Sequence, residues 1–180
     1  MIRRKLLIAT AIIASIVITA CSEMTGPKND PGILPAAVIR APHRGPATVV
    51  ATINGGGTAE MQPPIAAGSS SFAMGVKLLS DGSATGHFDC VDHHGDAPGF
   101  PGNIFGEVTS WSQEGTVIVL NAVGKFVPIP GGHPVPASFT VRIQQFGGAG
   151  VGRWTLEDTA SGFIFCYELL TSGQIAIRWE

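Results

Sequence analysis

The chain has 180 residues, with 11 Lys and Arg against 13 Asp and Glu and a formal net charge of −2. It has no basic excess with which to neutralise phosphates, so the electrostatic footprint of a nucleic-acid-binding protein is excluded. Abundant Gly and Pro, sparse charge and no sustained helical period point to short strands joined by turns.

Arg3, Arg4 and Lys5 open the chain, and Leu6 to Thr19 is almost wholly apolar with no acidic residue. The run falls short of the roughly 20 apolar residues that a membrane-spanning helix needs. Its charge, length and small-residue exit are those of a secretory signal. Ile18-Thr19-Ala20-Cys21 resembles the lipobox of bacterial lipoproteins. The resemblance implies a diacylglycerol on the Cys21 sulfur, cleavage before Cys21, and an acyl group such as palmitate on the new amine. Several acyl chains, each contributing about 0.8 kcal/mol per buried CH₂, make such an anchor firm. The alternative is a secreted protein with a chance cysteine at its cleavage site. Ser22 at the next position resembles an outer-membrane address in Gram-negative sorting; otherwise the outer face of the cell membrane is expected. Three of the eleven basic residues lie in the signal, which leaves eight basic and thirteen acidic residues beyond it, a net charge of −5.

Ser22 to Pro46 carries Pro27, Pro31, Pro35, Pro42 and Pro46 with Gly26, Gly32 and Gly45. Prolines at this density block regular hydrogen bonding and favour extended polyproline II, which would reach roughly 80 Å at about 3.1 Å per residue. The expected organisation is a signal peptide over 1–20, a lipidated cysteine and tether over 21–47, and a folded domain over 48–180. The apolar patch Ile33 to Ile39 is the one part of the tether that also reads as an edge strand or a docking segment.

In the domain, Thr48 to Ile53 reads as a β-branched strand ending at Asn54-Gly55-Gly56-Gly57. Phe72, Met74, Val76 and Leu78 alternate with small or polar residues, a period of two that gives one apolar strand face. Asp81-Gly82 supplies a turn, and the return strand carries His87 to Asp92. Strands follow over 104–111, 116–126, 137–146, 152–158, 163–170 and 174–179. Thr116 to Phe126 is apolar on both faces and reads as covered on both sides. Phe163, Phe165, Tyr167 and Leu169 share one face of theirs, and with Trp111, Trp154 and Trp179 they read as core and girdle. The pattern is all-β: an antiparallel meander of about eight strands. Unpaired edges are a liability, so the meander is expected to close into a small barrel, with the last strand against the first; a β-sandwich is the alternative. The long Gly- and Pro-rich connections, 93–103 and 127–136, are where function is expected.

The domain also resembles a group of small secreted bacterial β-domains. The resemblance rests on Gly55 to Gly57, Val76-Lys77, Asp81-Gly82 with Gly86-His87-Phe88, Asp89 to His93, Phe139 to Val141 and Ser172 to Arg178. It spans roughly Val50 to Arg178 and consists of turn and core positions, so it implies a fold, with no activity and no catalytic residue to carry over.

Beyond Cys21, the cysteines are Cys90 and Cys166, both mid-strand. An even pair in an exported protein reads as a disulfide, which would constrain the unfolded chain by roughly 4 kcal/mol. Two buried thiols, or a ligand or reactive thiol, are the other readings. His93, His94 and Asp96 are the candidate metal set, for zinc or copper. Strand alternation puts His87, Asp89, Val91 and His93 on one face and Cys90 and Asp92 on the other, so the whole cluster does not converge. Glu107, Glu157 and Asp158 read as solvated strand ends. No nucleophile elbow, zinc-protease helix, P-loop or dinucleotide fingerprint is present, so no catalytic residue and no cofactor are expected. The leading expectation is a membrane-anchored envelope lipoprotein whose β-domain binds a protein or small molecule, or builds structure, without turnover. A barrel carrying a small apolar ligand and a metal-dependent function at His93, His94 and Asp96 are the alternatives.

Overall fold

The computed structural model describes residues 45–65, 67–93 and 102–180. The described residues contain no helix, and ten strands account for most of them: β1 (Val49–Met61), β2 (Ser69–Leu79), β3 (Ala84–Asp92), β4 (Gly102–Glu114), β5 (Val117–Pro128), β6 (Val135–Gln145), β7 (Gly147–Gly148), β8 (Arg153–Asp158), β9 (Ile164–Leu170) and β10 (Gln174–Trp179). β1 to β6, β8 and β9 pair antiparallel in turn, and β9 returns to β1. This is a closed eight-strand antiparallel barrel, as the edge argument anticipates.

Closure is made by β1, which spends one edge on β2 from Val49 to Glu60. Its other edge is shared. Ala51 to Gly56 pair with β10, and Ala59 to Met61 pair with β9. β9 and β10 therefore run in the same direction along β1, as two halves of one closing strand broken at Thr171–Gly173. The two-residue β7 pads the outer edge of β10.

That break corrects the expectation that β1 ends at its glycine run. A Cβ on Gly57, whose φ is +149°, would lie 2.2 Å from the Ser172 carbonyl oxygen. The glycines thus mark a close backbone approach inside a continuous strand. Thr58 pins the break: its carbonyl accepts from Thr171 and Ser172 N–H, and its N–H donates to Ser172 Oγ at 3.1 Å.

Alternation sends one set of side chains inward from every strand. On β2 this set is Ser70, Phe72, Met74, Val76 and Leu78, all buried. The middle of the barrel is filled by Trp154, which lies 5.1 Å from Phe88 and 5.7 Å from Phe72 between ring centroids. Ile53, Ile104, Leu120, Phe139, Val141 and Leu156 complete the packing.

Two strand faces differ from the sequence pattern. β5 is covered on both faces only in part: Val119 is buried on the outer face opposite Arg142, whereas Val123 is half exposed. Val119 stands opposite a long arginine side chain in the register, whereas Val123 stands opposite Ser138. On β9 the inward residues are Cys166, Glu168 and Leu170, and Tyr167 and Leu169 face out. A register shift between Leu156 and Glu157 skips Phe165. Such a bulge breaks alternation, and the Phe165 ring packs 5.4 Å from Phe126 and 6.3 Å from Phe139.

Trp154→Ala is expected to lower the unfolding free energy by about 3–5 kcal/mol, the usual range for deleting a buried large aromatic. Trp179→Ala, at a half-exposed aromatic, should cost much less. Urea titration of both variants checks this; equal costs would mean that Trp154 is not the keystone of the interior.

Candidate functional site

One end of the barrel gathers the chemistry. It is built from the ends of β1, β3, β5 and β8 and the starts of β2, β4, β6 and β9. Just inside it, Cys90 on β3 and Cys166 and Glu168 on β9 point inward, with the three side-chain donor atoms within 4.8 Å of one another. The Cys90 and Cys166 sulfurs stand 4.0 Å apart as free thiols. Glu168 is fully buried, as is Ser70 beside it. The Ser70 hydroxyl donates to Glu168 Oε2 at 2.6 Å, while Glu168 Oε1 finds no partner among the described residues. Trp154, opposite Glu168 in the β8–β9 register, likewise keeps an unpartnered, buried Nε1–H.

The electrostatics follow from burial. Withdrawal from water penalises the carboxylate and raises the Glu168 pKa from 4.5 to about 7, with the negative charge of Asp92 adding to the rise and hydrogen bonds from Ser70 and Cys166 opposing it. The Cys166 thiol is pushed up by its hydrogen bond with Cys90, then by burial and by the negative charge of Cys90, Glu168 and Asp92. Burial and these neighbours therefore favour the protonated forms of Glu168 and Cys166.

The sequence reads Cys90 and Cys166 as a disulfide; the structure brings their sulfurs to 4.0 Å as free thiols. The sequence misses Glu168 and Ser70. Their signal is parity: Glu168 shares it with Cys166 and Leu170, and Ser70 with Phe72 and Met74. Of the histidine set, His93 is exposed, with Nε2 2.9 Å from Ser71 Oγ. His94 and Asp96 lie outside the described residues, as does Cys21. The outward face of His87 and the inward face of Cys90 are as alternation requires. The carboxylates Glu107, Glu157 and Asp158 do not pair with one another. Glu107 is exposed, Glu157 accepts from Arg142 Nε at 3.1 Å, and Asp158 accepts from the backbone of Ser161 at 2.9 Å. Hydrogen bonds from Ser161 hold the Asp158 carboxyl below its ordinary value.

At the same end, Phe126, Asp158, Ser161, Phe163 and Phe165 line a cleft of about 230 Å³. Phe163 and Phe165 pack edge to face at 5.2 Å. Phe163 (44%), Ile164 (39%) and Val135 (51%) remain exposed. Three apolar side chains exposed together at one end are a marked surface feature. A second groove, about 390 Å³, runs over the outer wall between Asn54, Lys77 and Thr85. No protein-family model, curated protein or solved structure matches this chain.

The buried carboxyl makes a pH-dependent contribution. Between pH 4.5 and 7 the folded chain keeps the Glu168 proton that the unfolded chain has released, so stability falls as pH rises through this window. The loss is complete above the folded pKa and amounts to about 3 kcal/mol, from a pKa of 4.5 rising to about 7 at about 1.36 kcal/mol per unit. In Glu168→Gln this component is expected to vanish. Denaturant titrations of both proteins across the window test it; parallel profiles would show that the carboxyl is not held neutral.

Proposed function

We propose that the chain is an exported lipoprotein, anchored through acyl groups on Cys21, whose β-barrel binds a protein partner at the cell envelope without turnover. The observation that carries the binding role is the apolar cleft at Phe126, Phe163 and Phe165, flanked by exposed Ile164 and Val135. Its volume suits one or two apolar side chains of a partner, with Asp158 and Ser161 as a polar rim. The lipobox and the Pro-rich tether support display of this surface at a membrane. A carrier that holds its ligand inside the barrel is the less favoured reading, because Trp154, Phe88, Phe72 and Phe139 occupy that interior.

The test combines fractionation with cross-linking in a bacterial host. The wild-type chain should sediment with membranes, and Cys21→Ala should move to the soluble fraction. Cross-linking should give one dominant adduct, lost in Phe163→Ser and retained in Trp179→Ser, which alters an exposed aromatic elsewhere on the barrel. Membrane retention of Cys21→Ala would refute the anchor. An adduct indifferent to Phe163 would refute the cleft.

A further inference from the structure

The interior cluster asks for a role of its own, since the surface reading makes no use of it. We propose that Cys90, Cys166 and Glu168 bind one Zn²⁺ ion inside the loop end of the barrel, with Ser70 fixing the carboxylate. The three donor atoms come from two different strands, β3 and β9, and fall within 4.8 Å of one another. Two sulfurs bound at about 2.3 Å to a tetrahedral zinc lie about 3.8 Å apart; here they lie 4.0 Å apart. The cluster needs little rearrangement to close on an ion.

A second observation points the same way. Glu168 is fully buried, and its Oε1 has no partner among the described residues although Oε2 is held by Ser70. A buried carboxylate oxygen without a donor is costly, and a cation bound there removes the cost. A hydrogen bond from a hydroxyl to the other oxygen is the way a ligating carboxylate is commonly oriented. A Cys90–Cys166 disulfide would bring the sulfurs to about 2.05 Å and would leave Oε1 as it is.

Ligand chemistry selects the ion. Thiolates favour Zn²⁺ and Cu⁺, whereas a carboxylate oxygen is a harder donor that suits Zn²⁺ over Cu⁺. Binding releases one proton from each thiol to solvent, together with that of Glu168 where it is still protonated, and no electron moves. Two thiolates, one carboxylate and Zn²⁺ leave a net charge of −1, far easier to bury than three separate anions. Three protein donors leave the fourth tetrahedral position to a water molecule. The site is independent of how the outer surface binds.

The experiment uses the full chain, stripped of metal by chelator and kept reduced with a non-thiol phosphine. Co²⁺ should bind with one equivalent, giving thiolate-to-cobalt charge-transfer absorption and tetrahedral d–d bands. Zn²⁺ should displace it at one equivalent. Cys90→Ser and Cys166→Ser should each reduce the charge-transfer absorption and weaken Zn²⁺ at least tenfold. Glu168→Gln, which removes a buried acid and so is expected to fold, should keep the thiolate bands and also lose at least tenfold in Zn²⁺ affinity. Circular dichroism confirms the fold of each variant. The proposal is overturned by Zn²⁺ affinity unchanged in Glu168→Gln, by affinity lost in His93→Ala but kept in Cys166→Ser, or by a Cys90–Cys166 disulfide in chain taken from the envelope without reductant.

Discussion

The structure depends on β1 satisfying three neighbours. A barrel exists only if its first and last strands hydrogen-bond, because an open sheet leaves two rows of unpaired backbone groups. β1 meets β2 along nearly its whole length and meets β10 and β9 in succession on its other edge. The edge changes hands at Gly57 and Gly173. A Cβ on Gly173 would stand 1.9 Å from the Gly56 carbonyl oxygen. The glycines are therefore the physical condition for closure, and closure in turn decides which side chains face the interior.

Once the ring is closed, parity leaves little choice. Between the register shifts, every second residue of the ring strands faces the interior, and nearly all of the buried ones are apolar. Ser70 and Glu168 are the exceptions that share one region. A hydrocarbon in place of Glu168 would suit the interior better, since a buried carboxyl is tolerated only when protonated, hydrogen-bonded or paired with a cation. The Ser70 bond to Oε2 meets part of that requirement, and Oε1 is left without a partner among the described residues. Burial sets the pKa of this group; its ionisation is in direct opposition to the packing around it.

Most of the architecture was legible because alternation is a local signal. The Phe72–Leu78 series gave the inward face of β2 residue by residue, and sparse charge with frequent turns gave the all-β meander. Three features were not legible for one shared reason: they are products of register. The passage of β1 through its glycines requires knowing that Thr171–Gly173 will lie against it. The outward turn of Tyr167 and Leu169 runs against their hydrophobicity, and it follows from the inward parity of Cys166 and the bulge at Phe165. Glu168 looks like an ordinary acid in a strand until β9 is seen closing the barrel beside β1. Chemistry, rather than register, suggested joining Cys90 to Cys166 as a disulfide, whereas the structure holds them as two free thiols 4.0 Å apart.

The two ends of the barrel divide the labour in a way that chain geometry explains. At one end Gly115-Thr116 alone joins β4 to β5, and Asp81-Gly82 turns β2 into β3. Trp111 seals that end: its Nε1–H donates to the Leu79 carbonyl at 2.8 Å, and its ring lies 6.4 Å from that of Trp179. Tight turns bring few side chains and cannot reshape without breaking strand register. The other end carries the connections 62–68, 93–101 and 129–134, while 146–152, as long as the first of these, lies at the tight-turn end. Chain that is free of ladder hydrogen bonds can vary in length and sequence without cost to closure. At the loop end the interior polar cluster comes to within a strand's end of the loops, and the aromatic cleft opens at the same rim. The polar cluster is placed near this end by strand parity, since Cys90 stands two residues before the end of β3 and Cys166 two residues after the start of β9.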